Sequence, residues 1–192
     1  DALRLQFATL PRSLKIPLVK VHAEIPVQAF AACMPEARID REALLCATDR
    51  WPTHAKPVTE ALALATRGAK TRAETVEAIL GWVHSSIRYE GKVGSRWGTL
   101  KVLKRGLGHC WDKADVFVTL CRAAEIPARM VFGWLVGTSG HVWAQVYLDG
   151  EGWVSVDATA SWTGVSEDYV PLFISEGGEV PAVYWSPPAI RR

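Results

Sequence analysis

Apolar residues in the middle of the chain recur at helical spacing, and beyond residue 127 the period changes to two. Cys110, Ala114, Phe117 and Cys121 stand at i, i+4, i+7 and i+11, which predicts a helix over residues 110–124 with one buried face. Pro127 ends it, because the residue before a proline is driven out of the α region. A second helix is predicted from Thr71 and Glu74, a capping-box pair, followed by Val76, Ile79, Leu80, Val83 and Ile87 along one face. Residues 58–66 have helical composition and are closed by Gly68. Residues 99–105 make a short helix with Gly106 at its left-handed terminus, and another short helix is expected around 40–46. Residues 129–136, 141–148 and 153–157 then alternate as strands, with Asp149-Gly150-Glu151-Gly152 supplying turn chemistry between the last two. Residues 171–175 and 180–185 are expected to form a closing hairpin across Gly177-Gly178.

Helices first and antiparallel strands afterwards predict an α+β domain, with the Cys110 helix packed on the sheet. Residues 1–35 are apolar but broken by Pro11, Pro17, Pro26 and Pro35, and read as extended segments or edge strands. Residues 51–57 read as a linker, and 87–98 as a loop of glycines and charges. The chain thus divides into an N-terminal extension, 1–52, and a core domain, 53–192.

Charge narrows the choice of partner. The 192 residues carry 22 Lys and Arg against 20 Asp and Glu, a net +2 without a basic run, which argues against nucleic acid. No apolar stretch approaches the ~18–20 residues of a membrane span. Nine tryptophans are many for this length, and suit a core or the rim of a cleft. A chain that begins at Asp1 reads as processed or trimmed, with export to the periplasm or beyond favoured over the cytoplasm. Four cysteines do not make a disulfide scaffold at this size, although in an exported protein Cys33 and Cys46 would be free to pair.

Candidate chemistry centres on Cys110. It follows Gly106 and Gly108 and opens a helix, where unpaired N–H groups and the helix dipole favour the nucleophilic thiolate. Asp112 and Asp115 near that helix start suit the positive end of the dipole. Cys121, three turns deeper on the same face, fits a core residue. A cysteine nucleophile needs a base, usually a histidine oriented by a third group. His22 lies among the prolines, His54 in the linker and His84 on a helix face, while His109 adjoins Cys110 and fits a cleft wall better than a base. His141 opens a strand after the flexible 137–140 turn, and Asp157 ends the next strand, so both reach one end of a hairpin. A zinc site from Cys110, His109 or His141, and Cys121 is the competing arrangement, but no C-x-x-C pair supports it.

Counting along that hairpin sets a geometric condition. A two-residue loop at Gly150-Glu151 would put Asp157 and His141 on opposite faces. A three-residue loop closed by Leu148 and Gly152 sets Asp157 opposite Trp143, with His141 its diagonal neighbour on the same face. Gly152 suits the positive-φ residue such a loop needs.

Three blocks, GHCWDKADVFVTLCRAAEIPAR, GHVWAQVYL and GWVSVDATA, resemble the core of the transglutaminase-like superfamily of papain-type thiol enzymes. Gly108-His109-Cys110-Trp111 is close to the Gly-Gln-Cys-Trp of animal transglutaminases, Asp112-Lys113-Ala114 looks more like the bacterial members, and His141-Val142-Trp143 is similar to peptide N-glycanases as well. The resemblance spans roughly residues 58–175. It implies a papain-like fold with Cys110 as nucleophile, His141 as base and Asp157 as orienting acid. Members usually add a side-chain donor to the oxyanion hole. His109, Trp97 and Trp82 are candidates, with Trp111 also placed at the cleft, beside the Cys110 backbone N–H. The implied chemistry is acyl transfer on an amide of a peptide or protein substrate through a thioester, without metal or cofactor. Hydrolysis, as in a cysteine protease, is favoured over transamidation, and a non-catalytic binding module of the same fold is the alternative from another class.

Overall fold

The computed structural model describes residues 40–90, 96–137 and 140–179. The proline-broken stretch 1–35 with its Cys33, and the 180–185 half of the expected hairpin, lie outside these residues. Among the described residues the order is α1 (Arg41–Leu45), α2 (Lys56–Ala65), α3 (Arg72–Ser86), β1 (Arg88–Tyr89), α4 (Thr99–Arg105), β2 (Leu107–Gly108), α5 (Cys110–Ala123), β3 (Ala128–Leu135), β4 (Gly140–Leu148), β5 (Gly152–Asp157), β6 (Trp162–Thr163) and β7 (Tyr169–Ser175). The helices precede the main sheet, a five-stranded antiparallel sheet in the order β6-β5-β4-β3-β7, while β1 and β2 between them form a separate pair. This is the α+β arrangement expected from the change of period.

The α5 helix is the centre of the packing. Its one-face apolar pattern understates its burial, because every residue from Asp112 to Arg122 is buried. The sheet covers one side through β3 and β4, and α2, α3 and α4 cover the others. A helix surrounded in this way has no solvent side, so its polar residues must find partners inside. Asp115, fully buried, accepts from Trp51 Nε1 at 2.9 Å and from the Arg96 guanidinium, whose Nε lies 2.6 Å from Oδ2. Burial pushes the Asp115 carboxyl up, and the Arg96 fork opposes it.

That network corrects the linker reading of residues 51–57. Trp51 is fully buried in the main core, Thr53 is buried, and α2 already starts at Lys56. The compact unit begins at Asp40, so residues 40–52, expected in the extension, pack with the core. Within the stretch 87–98 read as a loop, residues 88–89 form the short strand β1, paired with β2. It runs parallel, with Arg88 opposite Leu107 and Tyr89 opposite Gly108.

The capping signals are realised with one change. Thr71 accepts from Glu74 N at 3.1 Å, but the Glu74 carboxylate accepts from Lys70 N at 2.7 Å instead of closing back on Thr71. Gly106 ends α4 in the left-handed region at φ 65°. Val76, Ile79, Leu80 and Val83 form the buried face of α3.

The hairpin follows the register derived from the sequence. Leu148 pairs with Gly152 and Ala144 with Val156, so the loop is Asp149-Gly150-Glu151 and Asp157 comes level with Trp143. Gly152 adopts φ 80°. Residues 169–175 take a place that periodicity did not indicate, as the edge strand beside β3, with an irregularity between Phe132 and Gly133. Pro171 is tolerated there because an edge strand leaves one row of N–H groups unpaired. Gly133 is required for this packing, since a Cβ would lie 2.0 Å from the Val170 carbonyl oxygen and 2.8 Å from Trp143 Cη2. Val131, Trp143 and Tyr169 form a second apolar cluster there, separate from the main core.

Candidate active site

Cys110 is the first residue of α5 and is 6% exposed. Asp112 organises the backbone around it: one carboxylate oxygen accepts from His109 N at 3.1 Å and the other from Trp97 N at 2.7 Å. The first satisfies an N–H that the helix start leaves over, and the second ties in the segment before α4. Gly108 permits this closure, because a Cβ there would fall 2.6 Å from Asp112 Cβ.

His141 reaches Cys110 from β4. Its Nε2 lies 2.8 Å from Asp157 Oδ2, and the Cys110 side chain is close enough to perturb the ring. Burial disfavours the charged ring, but the bonds and charges of Asp157 and Cys110 outweigh it and push its pKa up to about 9. Asp157 is 1% exposed, yet it is fully provided with donors. Oδ2 meets His141 and accepts from the Tyr169 hydroxyl at 2.8 Å, while Oδ1 accepts from Thr159 N at 2.7 Å and Ala160 N at 3.4 Å. Burial alone would raise its pKa, and these bonds together with the His141 charge hold it below the ordinary carboxylate value.

The structure therefore brings Cys110, His141 and Asp157 together, and it separates Cys121 from them. Cys121 is wholly buried in the main core, and burial drives its thiol pKa far up. His54 and His84 are exposed, while His22 lies outside the described residues. Cys46 is an exposed free thiol, and its suggested partner Cys33 also lies outside the described residues.

The cleft candidates take different places. His109 Nδ1 sits 3.1 Å from the Tyr89 hydroxyl, with the two rings edge to face. Trp97 carries the Arg105 guanidinium 4.1 Å above its ring, and Trp111 packs edge-on against Phe132 at 4.2 Å. Trp82 is partly buried against the main core. Lys113, one turn into α5, is 2% exposed and donates from Nζ to the His84 carbonyl at 3.1 Å. Burial lowers its pKa, and the Asp157 charge partly restores it.

Two tyrosines that no pattern singled out belong to this neighbourhood. Tyr89 is half exposed, and its hydroxyl is perturbed first by burial and then by the charges of Cys110 and Asp157, all raising its pKa. Its position follows from the pairing of Tyr89 with Gly108, which a two-residue strand does not announce in sequence. Tyr169 sits where the alternation of residues 171–175 had not yet begun.

A family model described as the transglutaminase-like superfamily matches residues 60–158. Among solved structures, a candidate cysteine protease from Cytophaga hutchinsonii is similar over 75% of this chain and 50% of its own, at 22% identity and a TM-score of 0.61. The periplasmic domain of TgpA from Pseudomonas aeruginosa is similar over 63% of this chain and 47% of its own, at 22% identity and a TM-score of 0.52. At these identities the likeness is one of fold, and the chain spans about half the length of the structures it matches. A search of curated proteins found no match.

Proposed function

The chain belongs to the transglutaminase-like superfamily, and from that premise we propose that it is a cysteine-dependent acyl-transfer enzyme acting on amide bonds of a peptide or protein. The observation that carries the reading is the His141–Asp157 hydrogen bond at 2.8 Å, with Cys110 at a helix start near enough to perturb the same imidazole. A thiol beside a histidine, with the histidine bonded to an orienting acid, is the arrangement that activates a thiol.

In the proposed reaction the thiol proton passes to His141, and the thiolate attacks the amide carbonyl carbon. The C–N bond of the resulting tetrahedral adduct breaks as His141 returns the proton to the departing nitrogen, leaving a thioester on Cys110. His141, now neutral, takes a proton from water or an amine as that acceptor attacks, and the thioester sulfur leaves. Asp157 keeps the ring oriented and supports its charged form, as the raised His141 pKa indicates. For the developing oxyanion, the Cys110 backbone N–H and the Tyr89 hydroxyl are our choice of donors, the latter because it feels the Cys110 charge and is backed by His109.

We favour water as acceptor. The Asp112-Lys113-Ala114 block resembles bacterial members, and the Cytophaga structure is described as a candidate cysteine protease. An exported location is likewise our reading, in keeping with the periplasmic TgpA domain. Incubation with peptide libraries, followed by mass spectrometry of the protein, tests the chemistry. The expected result is an acyl adduct on Cys110 that decays to free acid, and its absence in Cys110→Ala. An adduct that decays only when an amine is supplied would instead identify a transamidase. No adduct under either condition would favour the binding module.

A further inference from the structure

The Tyr169 hydroxyl is buried with its ring, 6% exposed, and a buried hydroxyl is costly without an acceptor. Its acceptor is Asp157 Oδ2, the same oxygen that meets His141. The two residues are far apart in the sheet, with β4 and β3 lying between β5 and β7. The side chain spans that distance by lying across the sheet face. Its ring centroid is 5.3 Å from Trp143 and 5.8 Å from His141, both edge to face. Gly133 stands opposite both His141 and Pro171, and leaves this layer to the aromatic rings.

Packing alone would be met by phenylalanine. The hydroxyl adds a hold on one carboxylate oxygen while Thr159 N and Ala160 N hold the other, so the carboxylate is fixed at both ends. We propose that Tyr169 is a positioning residue, which acts through the Asp157 carboxylate to keep His141 oriented toward Cys110. This rests on the reading of Cys110, His141 and Asp157 given above.

The consequence can be read in pH dependence. Asp157 is bonded by His141 from β4 and Tyr169 from β7, and its charge also acts on Lys113 of α5 and Tyr89 of β1. A hydroxyl that donates to the ionised carboxylate favours that form, and its removal makes Asp157 easier to protonate. The acid limb of any process that needs the charged pair therefore moves to higher pH.

The test is the rate of Cys110 alkylation by iodoacetamide between pH 4 and 9, in the wild type, Tyr169→Phe, Asp157→Asn and the double variant. Phenylalanine keeps the ring contacts, and thermal melting of each protein checks the fold. In the wild type, alkylation at pH 6 should far exceed that of glutathione. In Tyr169→Phe the acid limb should rise by roughly one pH unit, seen as a few-fold slower alkylation at pH 4 and little change at pH 6 and above. In the Asp157→Asn background the same change should have no further effect, because its route of action is gone. An unchanged limb in Tyr169→Phe, or an equal effect in both backgrounds, would overturn the proposal and leave the catalytic reading standing. A wild-type thiol no faster than glutathione at pH 6 would overturn both.

Discussion

Asp157→Asn perturbs the site with little change of shape, and its effect can be worked from the structure. His141 titrates at about 9 in place of the ordinary 6.5, and its side chain is 11% exposed, so solvent screens its partners weakly. At about 1.4 kcal/mol per pH unit, that difference corresponds to about 3 kcal/mol of stability. The folded-state pKa lies above the unfolded one. The contribution is therefore complete below about 6.5 and disappears as pH rises through about 9. Asp157 adds the opposite case: its folded pKa is lowered from 3.8, so its contribution is present above that value and fades as pH falls through the folded pKa. Both operate together between about 4 and 6.5. Asparagine removes the Asp157 charge and leaves only Cys110 to oppose the cost of burial, so the His141 pKa should fall well below 9. Urea unfolding at pH 6 and at pH 10 checks this. Wild type should lose more stability than Asp157→Asn across that interval, by up to about 3 kcal/mol. NMR titration of the His141 ring reads the same quantity directly. Parallel stability curves for the two proteins, or a His141 pKa still near 9 in the variant, would refute the coupling.

Cys121→Ala should cost about 1–2 kcal/mol, read as a lowered melting temperature, because it leaves a small void beside fully buried neighbours. It should spare Cys110 alkylation, and equal loss of alkylation in Cys121→Ala and Asp157→Asn would contradict the division between core and reactive thiol. Arg96→Met should be far more damaging, on the order of 3–5 kcal/mol, since it strands the Asp115 carboxylate at full burial. Adding Asp115→Asn should recover part of that loss in urea unfolding. No recovery would mean that Arg96 acts through its other contacts, such as the Gly178 carbonyl.

Local rules made much of this molecule legible from its residues. The buried face of α3, the Gly106 terminus of α4 and the start of α5 at Cys110 depend on neighbours within a turn or two. The β4–β5 register was legible for the same reason, since face alternation and a loop with Gly152 at positive φ left one pairing that lets Asp157 meet His141. Distant contacts were not legible. The pattern on α5 marked one apolar face, but its remaining sides are covered by α2, α3 and α4, so Asp112 and Asp115 became buried acceptors. Trp51 stood in a stretch composed like a linker, and only the meeting with Asp115 across 64 residues makes it core. Residues 169–175 could be recognised as extended, yet their place beside β3 depends on the missing side chain at Gly133. Tyr89 and Tyr169 reach the site through that same long-range assembly, one through pairing with Gly108 and the other across two strands. Periodicity records which side of an element is apolar, because that is a property of consecutive residues. Which polar atoms meet inside is decided when elements distant in sequence close around one core, and only there does an unpaired donor or acceptor acquire its cost.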